Sequence, residues 1–454
     1  MKTTSRLLLS LIMIAALASL SLAAPAGDPA SEAFRTTFLS GKMPWSQVLE
    51  QAKQEGEVNW FFWGGSDELN TWVDTKVAPP LAKLGITLKQ SRIPNTRDAV
   101  DLAIADAAAG RGLGQGTVDA IWINGENFFT LAQQDLLFGA FADKLPNSKF
   151  FFFDPKDARS GPNLFDFGFP TGLREMPWSA SQYLCHIETS RLSRADAPKD
   201  FAGLEAYVRA NPGRFTYVAP PDFNGNTFVQ EVMYAFNPDG TTFEPFQKNA
   251  ADLGAAEFAR LTKPGFEFLQ RIEPFLLGGG GQDGNRGMPI YPETPNANDT
   301  LLTNGEVDMD CAFGPFRVNT RINSGDLSPT TENLIFPEGL MIKNKNFIGI
   351  PGNAPHPAAA LVLANVLSEP SNHIDKLATI GFELGVDVPL LSDADKELAS
   401  SQAPSLRGVT NNELGNNAVA DTNASLVDII ETVWIELIQK QSSKSFEQIV
   451  NDAF

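Results

Sequence analysis

Residues 58–70 read VNWFFWGGSDELN, and this segment specifies the fold class. Its first six residues are apolar or aromatic apart from Asn59, which is typical of a buried β-strand. Gly64 and Gly65 then end the strand, and Ser66 can cap a helix that follows. A strand that runs through small residues into a helix predicts the first half of a βαβ unit, and the small residues let a ligand approach the backbone.

The same strand–loop–helix order occurs twice more. Strand 118–123 continues into NGEN and a helix, and strand 215–218 continues into APPDFNGNTF and a helix. Ligands of open α/β sheets bind beyond the carboxyl ends of the strands, where the first helix amides lack internal partners, so the three loops predict one binding cleft. The alternative is that their Gly and Asn residues serve only as turn and cap residues. The side chains expected to orient a ligand are Ser66, Asn124 and Asn226.

Length and charge narrow the classes of protein. The chain has 454 residues, which favours two lobes, and a fresh α/β series begins at residues 198–208, PKDFAGLEAYV. The formal net charge is −19, and no cluster of Lys and Arg occurs. This balance excludes a nucleic-acid-binding protein, because such a protein needs a basic footprint.

The first 26 residues predict an export signal. Lys2 and Arg6 precede the apolar residues 7–22, and small residues allow cleavage near Ala23 or Ala26. No cysteine lies near these positions, so we do not expect a lipoprotein. We therefore expect a periplasmic protein. The alternative is a retained membrane anchor, because the apolar stretch approaches the length that spans a bilayer.

Motifs for metals, cofactors and nucleophiles are absent from the sequence. His186, His356 and His373 are far apart, and no HExxH, Cys-x-x-Cys or G-x-S-x-G pattern occurs. One G-x-G-x-x-G match follows a predicted helix instead of a strand. We therefore expect no metal, no cofactor and no catalytic residue. Cys185 and Cys311 are the only cysteines, and they are either a disulfide pair or two free thiols.

Several segments between about Trp45 and Pro370 carry a family resemblance. They are VNWFFWGGSDELNTWV, GITLKQ, VDAIWINGENFFTLAQQDLLFG, GRFTYVAPPDFNGNTFV, NGEVDMDCAFGPF and IPGNAPHPAAALVLANVLSEP. In this order they resemble the extracellular solute-binding proteins of ABC importers, in the group with the maltose-, spermidine- and iron-binding types, and they are most similar to the YnjB-type branch. The resemblance implies an α/β protein with the two-lobed, type II periplasmic-binding-protein fold. Each lobe would have a mixed, mostly parallel sheet flanked by helices, with the ligand cleft between the lobes.

The resemblance also implies how the chain divides between the lobes. Crossing strands would join them, and Cys185 and Cys311 would fall on two such strands that the fold places side by side, where they would form a disulfide. The implied boundaries are 1–26 for the signal peptide, 27–177 for the first part of lobe I, 178–311 for the first part of lobe II, 312–365 for the return to lobe I, and 366–454 for C-terminal helices that pack mainly on lobe II.

Carried over by position, the resemblance implies which residues line the cleft. The first-lobe wall would contain Trp63, Gly64, Gly65, Ser66, Asn124, Gly125, Glu126 and Asn127, with Trp178 at the first crossing. The second-lobe wall would contain Phe223, Asn224, Gly225, Asn226 and Thr227, with Phe313, Gly314 and Pro315 after the return crossing.

The implied function is the substrate-binding component of an ABC importer. The protein would be a monomer that captures a small polar solute by hinge closure and delivers it to a permease and ATPase complex at the inner membrane. No cleft Arg or Lys is evident, and aromatic residues near Glu126 and Asp222 favour a neutral or cationic solute. The alternatives are a secreted enzyme on the same bilobal scaffold that uses Glu126 or Asp222, and a structural envelope protein without a cleft.

Overall fold

A computed structural model describes residues 25–280, 287–337 and 340–454. The predicted signal peptide therefore lies almost entirely outside the described residues, and so does the middle of the loop at residues 278–289. None of the helices in the described part of the chain is long and apolar enough to span a membrane.

Strands and helices alternate over the first third of the chain, as the sequence predicts. The strands are β1 (Glu57–Trp63), β2 (Thr87–Ile93), β3 (Ala120–Ile123), β4 (Phe165–Asp166), β5 (Phe169–Pro170), β6 (Glu175–Glu188), β7 (Met309–Phe313), β8 (Thr331–Leu334), β9 (Met341–Gly349) and β10 (Ala418–Val419). The helices are α1 (Pro29–Leu39), α2 (Trp45–Glu55), α3 (Asp67–Trp72), α4 (Ala78–Lys83), α5 (Thr96–Ala108), α6 (Gly125–Gln133), α7 (Gly161–Leu164), α8 (Phe201–Ala210), α9 (Phe223–Ala235), α10 (Ala250–Leu253), α11 (Ala255–Ile272), α12 (Pro295–Thr303), α13 (Arg317–Ser324), α14 (Pro357–Leu367), α15 (Pro370–Ile380), α16 (Asp393–Gln402), α17 (Asn411–Asn417), α18 (Ala424–Trp434) and α19 (Phe446–Ala453).

The main sheet is mixed, with the strand order β2–β1–β3–β9–β6–β7. β1 is parallel to β2 and to β3, which is the βαβ arrangement expected from the first segment. β9 is antiparallel to both β3 and β6, and β6 is antiparallel to β7 and β8. In the second half of the described sheet, parallel pairing is limited to the two residues of β10 beside β9 and an isolated bridge between Phe215 and Met309.

Two strands, β6 and β9, run from one hydrophobic core into another. Met176 and Trp178 of β6 belong to the first core, which also contains Trp60 of β1. Further along β6, Tyr183 and Ile187 belong to the second core. A strand of 14 residues extends about 45 Å, so one continuous strand can reach both cores. The first lobe is defined here by the first core, and the second lobe by the second core.

The chain returns to the first lobe later than the sequence indicates. We expected the return after residue 311, but β7 packs in the second core. The returning strand is β9, because Met341 lies in the second core and Ile348 lies in the first. The centre of β9 is polar and partly exposed, with Lys343 and Lys345 where the strand leaves one core for the other. Its sequence therefore lacks the apolar run that marks a buried strand.

The C-terminal residues are divided between the two cores. Ile380 and Leu391 pack in the first core, whereas Leu426, Trp434 and Ile449 pack in the second. Of the buried residues in 366–454 that belong to these two cores, more lie in the second core than in the first. Each helix buries its own apolar stripe, and the sequence alone does not show which core that stripe faces.

Cys185 of β6 and Cys311 of β7 are directly opposite each other in the strand register. The structure joins them by a disulfide across 126 residues of sequence separation. The bond ties the end of β7 to the long strand β6. β7 then ends at Phe313, beside the cleft described next.

Candidate functional site

A cavity of ≈ 210 Å³ lies between the two cores, and its lining comes from both lobes. The first lobe contributes the segments that follow β1, β2 and β3 and the end of α15. The second lobe contributes the residues before α9, the end of β7 and the start of α13, and the polar centre of β9 also contributes. We refer to this cavity as the cleft. The predicted residues that line it are Trp63, Ser66, Asn124, Glu126, Asn127, Phe223, Asn224, Phe313 and Gly314.

Trp178 lies beneath the wall of the cleft. Its side chain is fully buried, and its ring meets the rings of Trp60 and Trp122 edge-on at 5.6 and 4.9 Å. Trp122 is the tryptophan that lines the cleft from this side, together with Phe382. Sequence reasoning missed Trp122, although its position in β3 next to Asn124 was a signal that could have identified it.

Glycines of the first-lobe loops bring other groups close to the backbone. A Cβ atom on Gly65 would lie 2.6 Å from Cε2 of the Trp63 ring, so the missing side chain lets this indole fold over the loop. Gly125 has φ +53°, and the Phe167 ring lies within 3.0 Å of where its Cβ would be. The glycines of this wall do not line the cleft in the described chain. They are Gly64, Gly65 and Gly125, and they lie behind the residues that do.

The polar side chains of the first wall are held by internal hydrogen bonds. Ser66 caps α3, because its Oγ accepts from the Leu69 amide at 3.1 Å, and the hydroxyl donates to Glu68 Oε2 at 2.7 Å. Asn124 Nδ2 donates to the carbonyl of Lys345 at 2.5 Å, and Trp122 Nε1 donates to Asn124 Oδ1 at 3.2 Å. Asn124 therefore fixes the Trp122 indole against β9.

The second wall is built on the first turn of α9. Asp222 caps this helix by accepting from the Asn224 amide at 2.8 Å. The Phe313 amide in turn donates to Asn224 Oδ1 at 3.2 Å, which connects the end of β7 to the loop. The Phe223 and Phe313 rings lie 5.2 Å apart, so the wall presents two adjoining aromatic faces.

Gly225, Asn226 and Thr227 lie deeper in α9 than the lining residues of the second wall. Thr227 is fully buried and its Oγ1 donates to the Phe223 carbonyl at 2.9 Å. Asn226 is 3% exposed, and its Nδ2 donates to Glu431 Oε1 of α18. These residues hold α9 in place from inside the lobe, and they are not among the lining residues of the described chain.

Two carboxyl groups of the cleft are strongly affected by burial. Burial raises the pKa of Glu126 well above its usual range, and nearby Glu431 raises it further. Glu126 Oε1 accepts from Asn127 Nδ2 at 2.6 Å, whereas Oε2 is buried with no hydrogen-bond partner among the described residues. Burial also raises the pKa of Asp222, although hydrogen bonds from Asn224 oppose this effect. Burial thus disfavours the charged form of both groups.

Two arginines that sequence reasoning missed also line the cleft. Arg317 and Arg321 lie four residues apart on α13, the helix that follows β7. Both guanidinium groups bond to Asp299 of α12, at 2.5 Å from Arg317 Nη2 and 3.0 Å from Arg321 Nη2. The expectation of a cleft without Arg or Lys is therefore wrong. The available signal was the i, i+4 spacing of two arginines directly after a strand.

Comparison with known proteins identifies the family. The family model of bacterial extracellular solute-binding proteins matches residues 77–395. Protein YnjB from Escherichia coli strain K12 is 33% identical over 399 residues, which are 86% of this chain and 93% of YnjB. This chain is a bacterial extracellular solute-binding protein.

Solved structures of such proteins share the fold. An ABC transporter substrate-binding protein from Bradyrhizobium japonicum USDA 110 aligns with a TM-score of 0.55 and 15% identity, over 88% of this chain and 99% of that chain. MalX from Streptococcus pneumoniae, solved in complex with maltopentaose, aligns with a TM-score of 0.60 and 13% identity, over 87% and 98%. The two-lobed α/β fold expected from the sequence is confirmed.

The family also decides the broad function. This solute-binding protein is a substrate-binding component of an ABC transporter, and such components work with permease and ATPase subunits. Its family and structural neighbours are solute-binding proteins and not enzymes, so the alternative of a secreted hydrolase that uses Glu126 or Asp222 is not retained.

Proposed function

We propose that this solute-binding protein captures one small polar organic solute between its lobes by hinge closure and delivers it to its permease and ATPase complex. The observation that carries the proposal is a cleft lined from both lobes. A solute held there would touch both lobes, so it would favour the closed arrangement over an open one.

Contacts across the cleft support closure. Asn296 Nδ2, at the start of α12, donates to the carbonyl of Gly65 in the first lobe. Gly381, at the end of α15, lies so close to the start of α13 that a Cβ would be 2.9 Å from the carbonyl carbon of Phe316. They add to the packing of Phe129 of α6 and Phe167 against Ala424 and Val427 of α18.

The strands between the lobes are the proposed hinge. β6 and β9 pass from one core to the other near residues 179–182 and 343–346, where Ser179 to Gln182 pair with Asn346 to Lys343. The register shifts between Pro177 and Ser179, next to this passage. A few residues in two strands can absorb the change in backbone angles that domain closure requires.

The lining of the cleft supports a small solute that is neutral or cationic overall. Trp63, Trp122 and Phe223 offer flat apolar faces, which suit an apolar body or a cationic group. Glu126 and Asp222 add acceptors on the opposing walls. The volume of ≈ 210 Å³ fits a small molecule better than an oligosaccharide.

We also propose the periplasm as the place of action and a monomer as the working form. The support is the export signal predicted in residues 1–26, with cleavage near residue 23 or 26 and no cysteine for lipid attachment. Membership of an extracellular family agrees with export.

A thermal-shift screen of residues 27–454 against sugars, polyamines, vitamins, amino acids and oxyanions tests the proposal. A solute at 100 times its dissociation constant should raise the free energy of unfolding by about 2.7 kcal/mol. Small-angle scattering should show a smaller radius of gyration when that solute is present, and the solute should be recovered unaltered.

The Trp63→Ala variant removes an aromatic face of the cleft, and Trp63 packs against the first core from its edge without being one of its fully buried residues. It should keep the fold and lose most of the shift. If no class of solute shifts the wild-type protein, or if the radius of gyration does not change on binding, the proposal of capture by closure is wrong.

A further inference from the structure

One face of α13 presents a basic group of side chains to the cleft. Arg317, Thr320 and Arg321 stand at positions i, i+3 and i+4, which share a face of a helix, and all three line the cleft. The two arginine side chains are only 14% and 12% exposed, so their positions are restricted.

Asp299 lies behind the two arginines and is almost fully buried. Its Oδ2 bonds to Nη2 of Arg317 and to Nη2 of Arg321, so one carboxyl group holds two guanidinium groups. Behind it, Asp310 bonds to His186 Nδ1 at 2.9 Å. At the outer side, Asp326 lies 3.8 Å from Arg321 Nε and is 45% exposed. The acids are therefore arranged behind and beside the arginines.

The donor capacity of the pair is not used up within the protein. Arg317 Nη1 and Arg321 Nε have no hydrogen-bond partner among the described residues. A guanidinium group has five N–H donors and carries a positive charge. A pair of such planar groups matches the two oxygens of a carboxylate better than any neutral group.

The carboxyl groups that line the cleft come from other segments than the two arginines, and they belong to Glu68, Glu126 and Asp222. Glu126 and Asp222 are both removed from water, which disfavours their charged forms. Glu68 is engaged with the Ser66 hydroxyl. Within the described lining, Arg317 and Arg321 are the two positively charged side chains.

We propose that Arg317 and Arg321 bind a carboxylate group of the transported solute, and that Asp299 is a positioning residue for both. This inference rests on the proposed function. The rest of the lining favours a solute whose remaining part is neutral or cationic. The solute therefore combines a carboxylate with a polar or cationic group, as an amino acid of any chain length does.

A matched series of small molecules tests the proposal. The probes are ω-amino carboxylates of increasing chain length, the primary amides of the same compounds, and diamines of matching length. For wild-type protein, at least one carboxylate should raise the melting temperature, and its amide and diamine should bind at least about tenfold more weakly, because a hydrogen bond to a charged group contributes about 1.5–3 kcal/mol.

Three variants separate recognition from structure. Arg317→Gln and Arg321→Gln should each lose about tenfold or more in affinity for the carboxylate and change affinity for the amide little. Arg321→Lys keeps the charge next to Asp299 and should fold even where the glutamine variant does not, with affinity between the two. Arg260→Gln is the control, because Arg260 bonds only exposed Asp239 and Glu257 in the described structure and should bind as wild type.

The outcomes distinguish this inference from the proposed function. If only amides, diamines or sugars bind, or if the glutamine variants bind the carboxylate as well as wild type does, the carboxylate site is wrong and the receptor remains. If no carboxylate probe binds at all, the carboxylate site is also wrong. If the wider solute screen gives no binding either, both proposals fail together.

Discussion

The glycine behind Trp63 shows how one missing side chain shapes the cleft. Gly65→Ala would place a methyl group 2.6 Å from Cε2 of the Trp63 ring, so the indole has to move. We expect solute affinity to fall about 3- to 10-fold, or ~1 kcal/mol, while the cores stay unchanged. Titration calorimetry with the solute found by screening measures this effect.

The control for this change is another glycine-to-alanine substitution. Gly415→Ala lies within α17, and a Cβ there meets nothing within 4 Å. It should leave affinity unchanged and raise stability slightly, because glycine inside a helix costs about 0.5–1 kcal/mol. Equal affinity in wild type and the Gly65→Ala variant would show that the position of the Trp63 ring does not matter for binding.

Asp421 gives a prediction on pH. Burial raises the pKa of this carboxyl group from its ordinary value of 3.8 to about 7, although Asn344 Nδ2 donates to it at 3.1 Å. When folding raises the pKa of an acid, the acid stabilises the folded protein at pH values below the pKa that it has in the unfolded chain. This contribution is lost as the pH rises through the pKa that it has in the folded protein. The loss therefore falls between about pH 4 and pH 7.

The Asp421→Asn variant should weaken this dependence. An asparagine can still accept from Asn344, so we expect the variant to lose about 2–4 kcal/mol less stability than wild type between pH 4 and pH 7. Urea unfolding across that range measures the slope. Asp393→Asn, whose side chain is fully exposed, should show the wild-type slope, and a wild-type slope in Asp421→Asn would contradict the buried, protonated acid.

At the scale of elements, the disulfide connects β7 to the strand that both lobes share. Replacing both cysteines, Cys185→Ser with Cys311→Ser, removes a link across 126 residues. We expect the free energy of unfolding to fall by about 2–5 kcal/mol, because the unfolded chain is no longer restrained. Denaturant unfolding of oxidised and reduced wild type provides the comparison, and identical curves would show that the bond adds no stability.

The same elements show why pattern reading succeeded for some strands and failed for one. Residues 60–63 of β1 form an unbroken apolar run because both faces of the strand are covered, with Trp60 in one core and Phe61 in another. The polar centre of β9 was not recognised as a strand, because at Lys343 and Lys345 it passes between the lobes and not through a core. A strand that bridges two lobes does not show the periodicity of a buried strand.

At the scale of the whole molecule, closure depends on contacts between the lobes. Asn296→Ala removes the hydrogen bond to the Gly65 carbonyl, which we expect to weaken solute affinity about 2- to 10-fold, since one hydrogen bond contributes about 0.5–1.5 kcal/mol. The effect should appear as faster dissociation, because the closed state traps the solute. Stopped-flow fluorescence of the cleft tryptophans measures it.

A similar amide on the surface of one lobe is the control. Asn211 caps the end of α8, where its Nδ2 donates to the Tyr207 carbonyl at 3.0 Å, and it is not among the residues that line the cleft in the described chain. Asn211→Ala should leave the dissociation rate unchanged. Unchanged dissociation from Asn296→Ala would mean that this contact does not hold the lobes together.

The sequence by itself determined the α/β class, the two lobes and the loops that face the cleft. These features follow from local patterns: apolar runs for β1 and β3, small residues after them, and caps such as Ser66 and Asp222. Because such patterns depend on neighbouring residues, they can be read without the fold.

Only the tertiary structure decided which side chains share the cleft. It placed Trp122 in the wall and Trp178 beneath it. It also brought Arg317 and Arg321 into the same cavity as Trp63, which lies about 250 residues earlier in the chain. The physical reason is that a cavity exists only where distant segments fail to fill the space between two cores. The sequence records the segments, and the packing of the cores decides which of their faces remain uncovered.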